Sequence, residues 1–233
     1  LDWMVKERGV PCSPKTLARR ITSIKAFFRW LHQGGAVLVD PAEKVVQKTV
    51  RSPLPEVLNP AERATILELA ESYLQAASPD TRYFALASLL LATGIKKGEL
   101  LNLSPNHIDF DAPDGPQLFV RYANPNYRYK ERKIQLPDDW LEAYEKYTNQ
   151  HPLTDKLFPW SPRRLEYLLE DLSTQAGLDK QLSFSMCRWT CALTDWQSKM
   201  ERDQIRQKLG ISKVQWREVS EKLRRLDIEN PAA

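Results

Sequence analysis

Residues 89 to 103 constrain this chain more than any other stretch. Leu89, Leu90 and Leu91 end an apolar run, Thr93-Gly94 follows, and Glu99-Leu100-Leu101-Asn102-Leu103 begins a second apolar repeat. A glycine just past a periodic apolar segment stops a helix by adopting the left-handed conformation. The stretch therefore predicts helix, tight turn, helix. The turn carries Lys96-Lys97, so two ammonium groups are held at a fixed place between two buried elements. Both helices need a core to bury their apolar faces, and 233 residues supply one large domain or two modest ones.

Upstream, residues 2 to 8 read as the tail of a helix closed by Gly9, and the start inside a helical pattern implies residues before Leu1. Ser13-Pro14 then offers an N-cap followed by proline at the first helical position, and Gly34-Gly35 a stop. Between them Leu17, Ile21, Ile24, Phe28 and Leu31 form one apolar stripe. Lys15, Arg19, Lys25 and Arg29, with Arg20 near the edge, lie off it, as a solvated basic face or as a helix that touches DNA phosphates. Residues 1 to 52 carry a net charge of +6 while the rest carries −2, so the excess cation sits in this first part. A compact basic module suggests a polyanionic partner.

Periodicity is lost from 47 to 58, where Pro53 and Pro55 mark a linker. We place a helical domain at 1–50, the linker at 51–58 and a second domain at 59–233. Asn59-Pro60-Ala61-Glu62 restarts helix with a capping box. Helices are expected at about 60–76, 80–92, 137–149 and 162–177. Residues 107–110, 117–120 and 132–136 read as three short strands. The fold class is mainly α with a small three-stranded β-sheet. Cys12, Cys187 and Cys191 are odd in number, which favours a reducing, cytoplasmic setting, and the latter pair reads as packed thiols rather than metal ligands. No apolar run reaches the roughly 18 residues of a membrane span.

The box Thr93-Gly94-Ile95-Lys96-Lys97-Gly98-Glu99-Leu100 resembles the "T-G-(Leu or Met)-Arg-(Ile or Val)-(Ser or Gly)-Glu-Leu" box of the tyrosine recombinases, the phage-integrase family. Ser185-Met186-Cys187-Arg188-Trp189-Thr190-Cys191-Ala192 resembles its "His-x-Leu-Arg-His-Thr-Phe-Ala" box, and Leu209-Gly210-Ile211-Ser212 its "Leu-Gly-His-Ser" turn. Thr16 to Leu31 with Asp40-Pro41-Ala42 is similar to the later helices of that family's core-binding domain. The resemblance covers nearly the whole chain and implies a two-domain, integrase-like architecture that binds double-stranded DNA, without metal or cofactor, in recombination or integration. In a prokaryote such a protein would be nucleoid-associated.

The resemblance also implies where chemistry would reside. Lys96 stands where the family has its first catalytic arginine, Arg188 fills the second, Ser185 and Ile211 replace histidine or tryptophan, and Ser220 occupies the place of the nucleophilic tyrosine. Tyr127 or Arg128 aligns with the catalytic lysine, with Lys130 the nearest substitute. No tyrosine lies between Tyr167 and Ala233. Cleavage by phosphoryl transfer requires neutralising the phosphate oxygens around the reaction. Lys96 keeps charge but lacks the planar fork, Ile211 cannot donate, and an alcohol at 220 needs a base that neither histidine position provides. The resulting expectation is a degenerate recombinase that clamps duplex DNA without cutting it, using Lys15, Arg19, Arg20, Lys25, Lys96, Arg128, Lys130, Arg132 and Arg188. Lys96, Arg188 and Ser220 should then converge on one concave pocket, unless Arg188 is a structural partner of Glu99. Two other readings stand: an active recombinase with Ser220 or a tyrosine from another subunit as nucleophile, and a partner of recombinases or of its own copies through a C-terminal apolar face of Val214, Val219, Leu223 and Leu226.

Overall fold

The computed structural model describes residues 3, 9–10, 12–47, 50, 52–152 and 155–231. The helix tail read at 2–8 lies, Trp3 apart, outside them. The chain divides into two compact units, Leu1–Leu54 and Pro55–Ala233.

In the first unit α1 spans Pro14–Gln33, and its cap is as the sequence dictates: the Ser13 side chain accepts from the Thr16 amide, with proline at the first turn. Ile21 is buried at the centre of the apolar stripe. Arg19 and Arg29 are exposed and Arg20 is half-buried. Lys25 Nζ donates to the carbonyls of Val45 at 2.9 Å and Glu43 at 3.3 Å and so ties the loop after α1 to the helix. Lys15 is exposed and donates to Ser52 Oγ at 2.7 Å.

The second unit is built around one buried helix. Its entry is fixed when the Leu58 amide donates to Thr190 Oγ1 at 2.9 Å. α2 (Pro60–Ser72) starts on the Asn59/Glu62 capping box, and α3 (Thr81–Thr93) follows from an Asp80 cap. α3 is apolar on nearly every side, as a helix packed all round must be. Leu86, Leu89 and Leu90 are fully buried, and each such side chain contributes about 1.5–3 kcal/mol of transfer free energy. Gly94 ends α3 at φ +59°, where a Cβ would lie 3.2 Å from Cys191 Sγ, so the turn requires glycine for both its backbone and its neighbour.

The turn leads into α4 (Lys97–Leu100) and a three-stranded antiparallel sheet in the order β1 (Ile108–Asp109), β2 (Gln117–Val120), β3 (Arg132–Gln135). Ile108 pairs with Leu118 and Leu118 with Ile134, which sets one apolar face toward the core. α5 (Asp138–Gln150) and α6 (Pro162–Gln175) come next, then α7 (Phe184–Gln197), α8 (Arg202–Lys208) and α9 (Lys213–Glu229). α3 packs against α2, α5, α6 and α7, and the Trp140 indole donates to the Ala85 carbonyl at 3.1 Å to lock α5 on it. α9 lies on α7. Leu223 and Leu226, read as half of a docking face, are 0% and 2% exposed and pack within this unit; of the four residues only Val214 is well exposed. Among the described residues no helix is long and apolar enough to cross a membrane.

Candidate functional site

Lys96 and Arg188 meet. Both line one cavity of about 320 Å³, together with Trp189, Leu209, Ile211, Gln215 and Glu218. The turn after α3 brings in Lys96, α7 brings in Arg188, and the Leu209–Ser212 turn with α9 closes the far wall. Arg188 donates through Nη1 to the Gly94 carbonyl and through Nη2 to the Leu209 carbonyl. It is therefore not the partner of Glu99, and its remaining N–H groups are left for an anion. Burial pushes the guanidinium down to about 10, with Arg132 adding to the effect and Glu99 opposing it. Lys96 is likewise lowered, first by burial and then by Arg188, Arg132 and Lys130, against the pull of Glu99 at 3.9 Å. The cavity concentrates positive charge in a partly dry place, which favours an anion.

Beneath it lies a carboxylate network. Glu99 is 5% exposed and accepts from the Lys96 amide at 2.8 Å, from Arg132 Nη1 at 3.0 Å and Nη2 at 2.9 Å, and from the Tyr122 hydroxyl. Burial alone would raise its pKa; the Arg132 fork and charge, with these other donors, overcome that and hold it at about 2. Arg132 Nε also donates to the Lys208 carbonyl at 2.6 Å. Arg132 is 9% exposed, its donors face inward, and it braces the turn that carries Leu209 and Ile211. Gly210 sits against it, with φ +58° and a Cβ position 2.6 Å from Arg132 Nη1.

The other expected positions separate. Ser220 does not line the cavity; its hydroxyl donates to the Arg217 carbonyl of its own helix at 3.2 Å. The α9 residues on that wall are Gln215, Glu218, Val219 and Lys222. Ser185 is exposed in the first turn of α7, away from the cavity lining. Ile211 does line it, as an apolar wall. Residues Pro125–Lys130 form a 3-10 helix between β2 and β3, in which Tyr127, Arg128 and Tyr129 are exposed and Lys130 Nζ stands 4.4 Å from the Tyr127 ring centroid. Trp189, Glu218 and Lys222 were not singled out in the sequence; Glu218 and Lys222 look like an ordinary i, i+4 surface pair, which they also form at 2.8 Å. Cys187 and Cys191 are buried and their thiols are pushed up to about 12 and about 11 by burial, as packed groups.

A mainly helical domain with a three-stranded antiparallel sheet and paired cations at the turn after its central helix has an integrase-like fold, and the comparisons give the same fold. The chain is 36% identical to tyrosine recombinase XerC of Roseiflexus castenholzii over 112 residues, 48% of this chain and 35% of that protein. It is 29% identical to tyrosine recombinase XerD of Caulobacter vibrioides over 184 residues, 72% of this chain and 57% of that protein. The chain thus spans about a third of the XerC relative and little more than half of the XerD one. Among solved structures, XerH site-specific recombinase bound to palindromic difH substrate superimposes with a TM-score of 0.72 at 16% identity, over 93% of this chain and 67% of that one. XerA recombinase gives 0.60 at 21% identity, over 100% and 80%. No family model matches. The chain is thus similar to tyrosine recombinases over 48% to 72% of its length.

Proposed function

We propose that this protein binds duplex DNA through a phosphate grip and does not cut it, acting in a recombination or integration setting or as a regulator there. One observation carries the reading: Lys96 and Arg188 share a cationic cavity while Ser220 stands off its lining, hydrogen-bonded to its own helix. A cut needs a nucleophile in line with the gripped phosphate. The Ser220 hydroxyl is engaged by its own helix, and the turn position that would help stabilise the phosphate oxygens is the hydrocarbon of Ile211. Relatives of the fold have been solved on DNA, among them XerH on its difH substrate and the Tn1549 integrase on circular intermediate DNA, which supports the same partner here. Lys15, Arg19 and Arg20 on α1 supply backbone contacts from the first unit, and Lys96, Arg128, Lys130 and Arg188 from the second. With the excess positive charge in the first unit, most salt-dependent affinity resides there.

Two measurements test this. Gel shifts on random and candidate duplexes at rising salt should show binding that weakens with ionic strength; no shift at low salt retires the proposal. A nicked suicide duplex should yield no covalent adduct with the wild type or with Ser220→Ala. An adduct lost in Ser220→Ala would instead make the chain an active recombinase.

A further inference from the structure

Lys96 also lines a second, larger concavity of about 990 Å³, on the sheet side of α4. Its aromatic lining comes from Phe119, Tyr122 and Tyr127, and its polar lining includes Asn102, His107, Arg121 and Arg128. Arg121 leaves the end of β2 and lies over the Phe119 ring, its Cζ 4.3 Å from the centroid. Among the described residues that guanidinium has no hydrogen bond or ion pair: the Phe119 ring is its neighbour and its fork is open. His107 accepts the Ser104 amide on Nδ1 at 3.3 Å. In the neutral ring the proton is then on Nε2, a donor. Burial and the neighbouring Arg121 both favour that neutral ring. Asn102 spends one N–H on the Gly98 carbonyl at 2.7 Å and keeps its carbonyl oxygen.

We propose that this groove reads a base beside the gripped phosphate, and that Arg121 is its specificity-determining residue, placing its fork on the O6 and N7 acceptors of a guanine. The inference rests on the DNA-binding reading above and deepens it. A ring-oriented arginine fork with a further donor at its side matches an edge carrying two acceptors, and no other base offers that edge in duplex DNA. Lys96, common to both concavities, places the reading site next to the phosphate. Phosphate contacts alone position a protein without selecting sequence; a free arginine fork placed over an aromatic ring can select.

The test is selection from a randomised duplex library with the full chain, followed by titration of the selected duplex and of a duplex with the preferred guanine replaced. Wild type should enrich a guanine at one position. Arg121→Ala should lose that enrichment and bind the selected duplex about 5- to 150-fold more weakly, the range for one bidentate contact. Arg121→Lys should keep its affinity for unselected DNA and lose the guanine preference. The same motif and affinity in both variants, or equal weakening on every sequence, overturns the Arg121 assignment and leaves DNA binding standing. No binding by wild type overturns both.

Discussion

Glu99 and Arg132, 33 residues apart in sequence, are joined through both carboxylate oxygens and both terminal guanidinium nitrogens at 2.9 and 3.0 Å in a nearly dry position. The pair links the Lys96 turn to the turn that carries Leu209, and so holds the two carbonyls on which Arg188 rests.

Acid should loosen this pair. The Glu99 carboxyl lies at about 2 in the folded chain against 4.5 ordinarily, so the stability it contributes is complete above pH 4.5 and is lost as pH falls toward 2. The contribution is on the order of 3 kcal/mol. Thermal unfolding from pH 7 to 2 should show a steeper fall in midpoint for wild type than for Glu99→Gln. Arg132→Met, which leaves the carboxylate buried without its guanidinium partner, should cost about 3–5 kcal/mol at pH 7.

Lys96→Ala should reduce the slope of log Kobs against log salt by about 0.9, one phosphate contact, and Lys96→Arg should not. Burial and its cationic neighbours lower the Lys96 pKa, and a bound phosphate would favour the charged amine again. Wild-type affinity should therefore decline as pH rises through the lowered Lys96 pKa, and the decline should be absent in Lys96→Arg. Equal pH profiles for the two proteins would remove Lys96 from the grip.

Two backbone positions should respond in opposite directions. Gly210→Ala places a Cβ 2.6 Å from Arg132 Nη1 at φ +58° and should lower stability by about 2 kcal/mol or more. Lys199 holds φ +63° without being glycine, so Lys199→Gly should raise stability by a few tenths to about 1 kcal/mol. Chemical denaturation of the two variants reads both changes.

Cys187 and Cys191 should resist thiol reagents at pH 8 in the native protein and react on unfolding, since burial holds the first at about 12 and the second at about 11. Native reaction at either position would place that thiol at the surface.

Much of the framework was legible because short-range chemistry sets it. The Asn59/Glu62 box, the glycine at 94 and the three strands all depend on residues within a few positions of one another. The burial of Arg132 was not legible in the same way, because the run Arg128-Tyr129-Lys130-Glu131-Arg132-Lys133 looks like a cationic surface. The strand period held the correction: Arg132 and Ile134 alternate with exposed Lys133 and Gln135, so an inward Ile134 requires an inward Arg132. What no local pattern reveals is the acceptor, Glu99, from a different element. The internal partners of Lys25, Leu223 and Leu226 are likewise set by tertiary packing. Ser220 sits at the matching sequence interval, yet a helix presents only every third or fourth residue to a given wall, and Val219 and Lys222 hold that wall.

Arg188 spans the carbonyls of Gly94 and Leu209 before any ligand arrives. Long flexible side chains ordinarily surrender about 0.5–1.5 kcal/mol of rotamer freedom when they close on an anion; here folding has already immobilised the guanidinium. An oxyanion entering from solvent meets a preorganised receptor, in which selectivity for shape is built in at the moment of encounter.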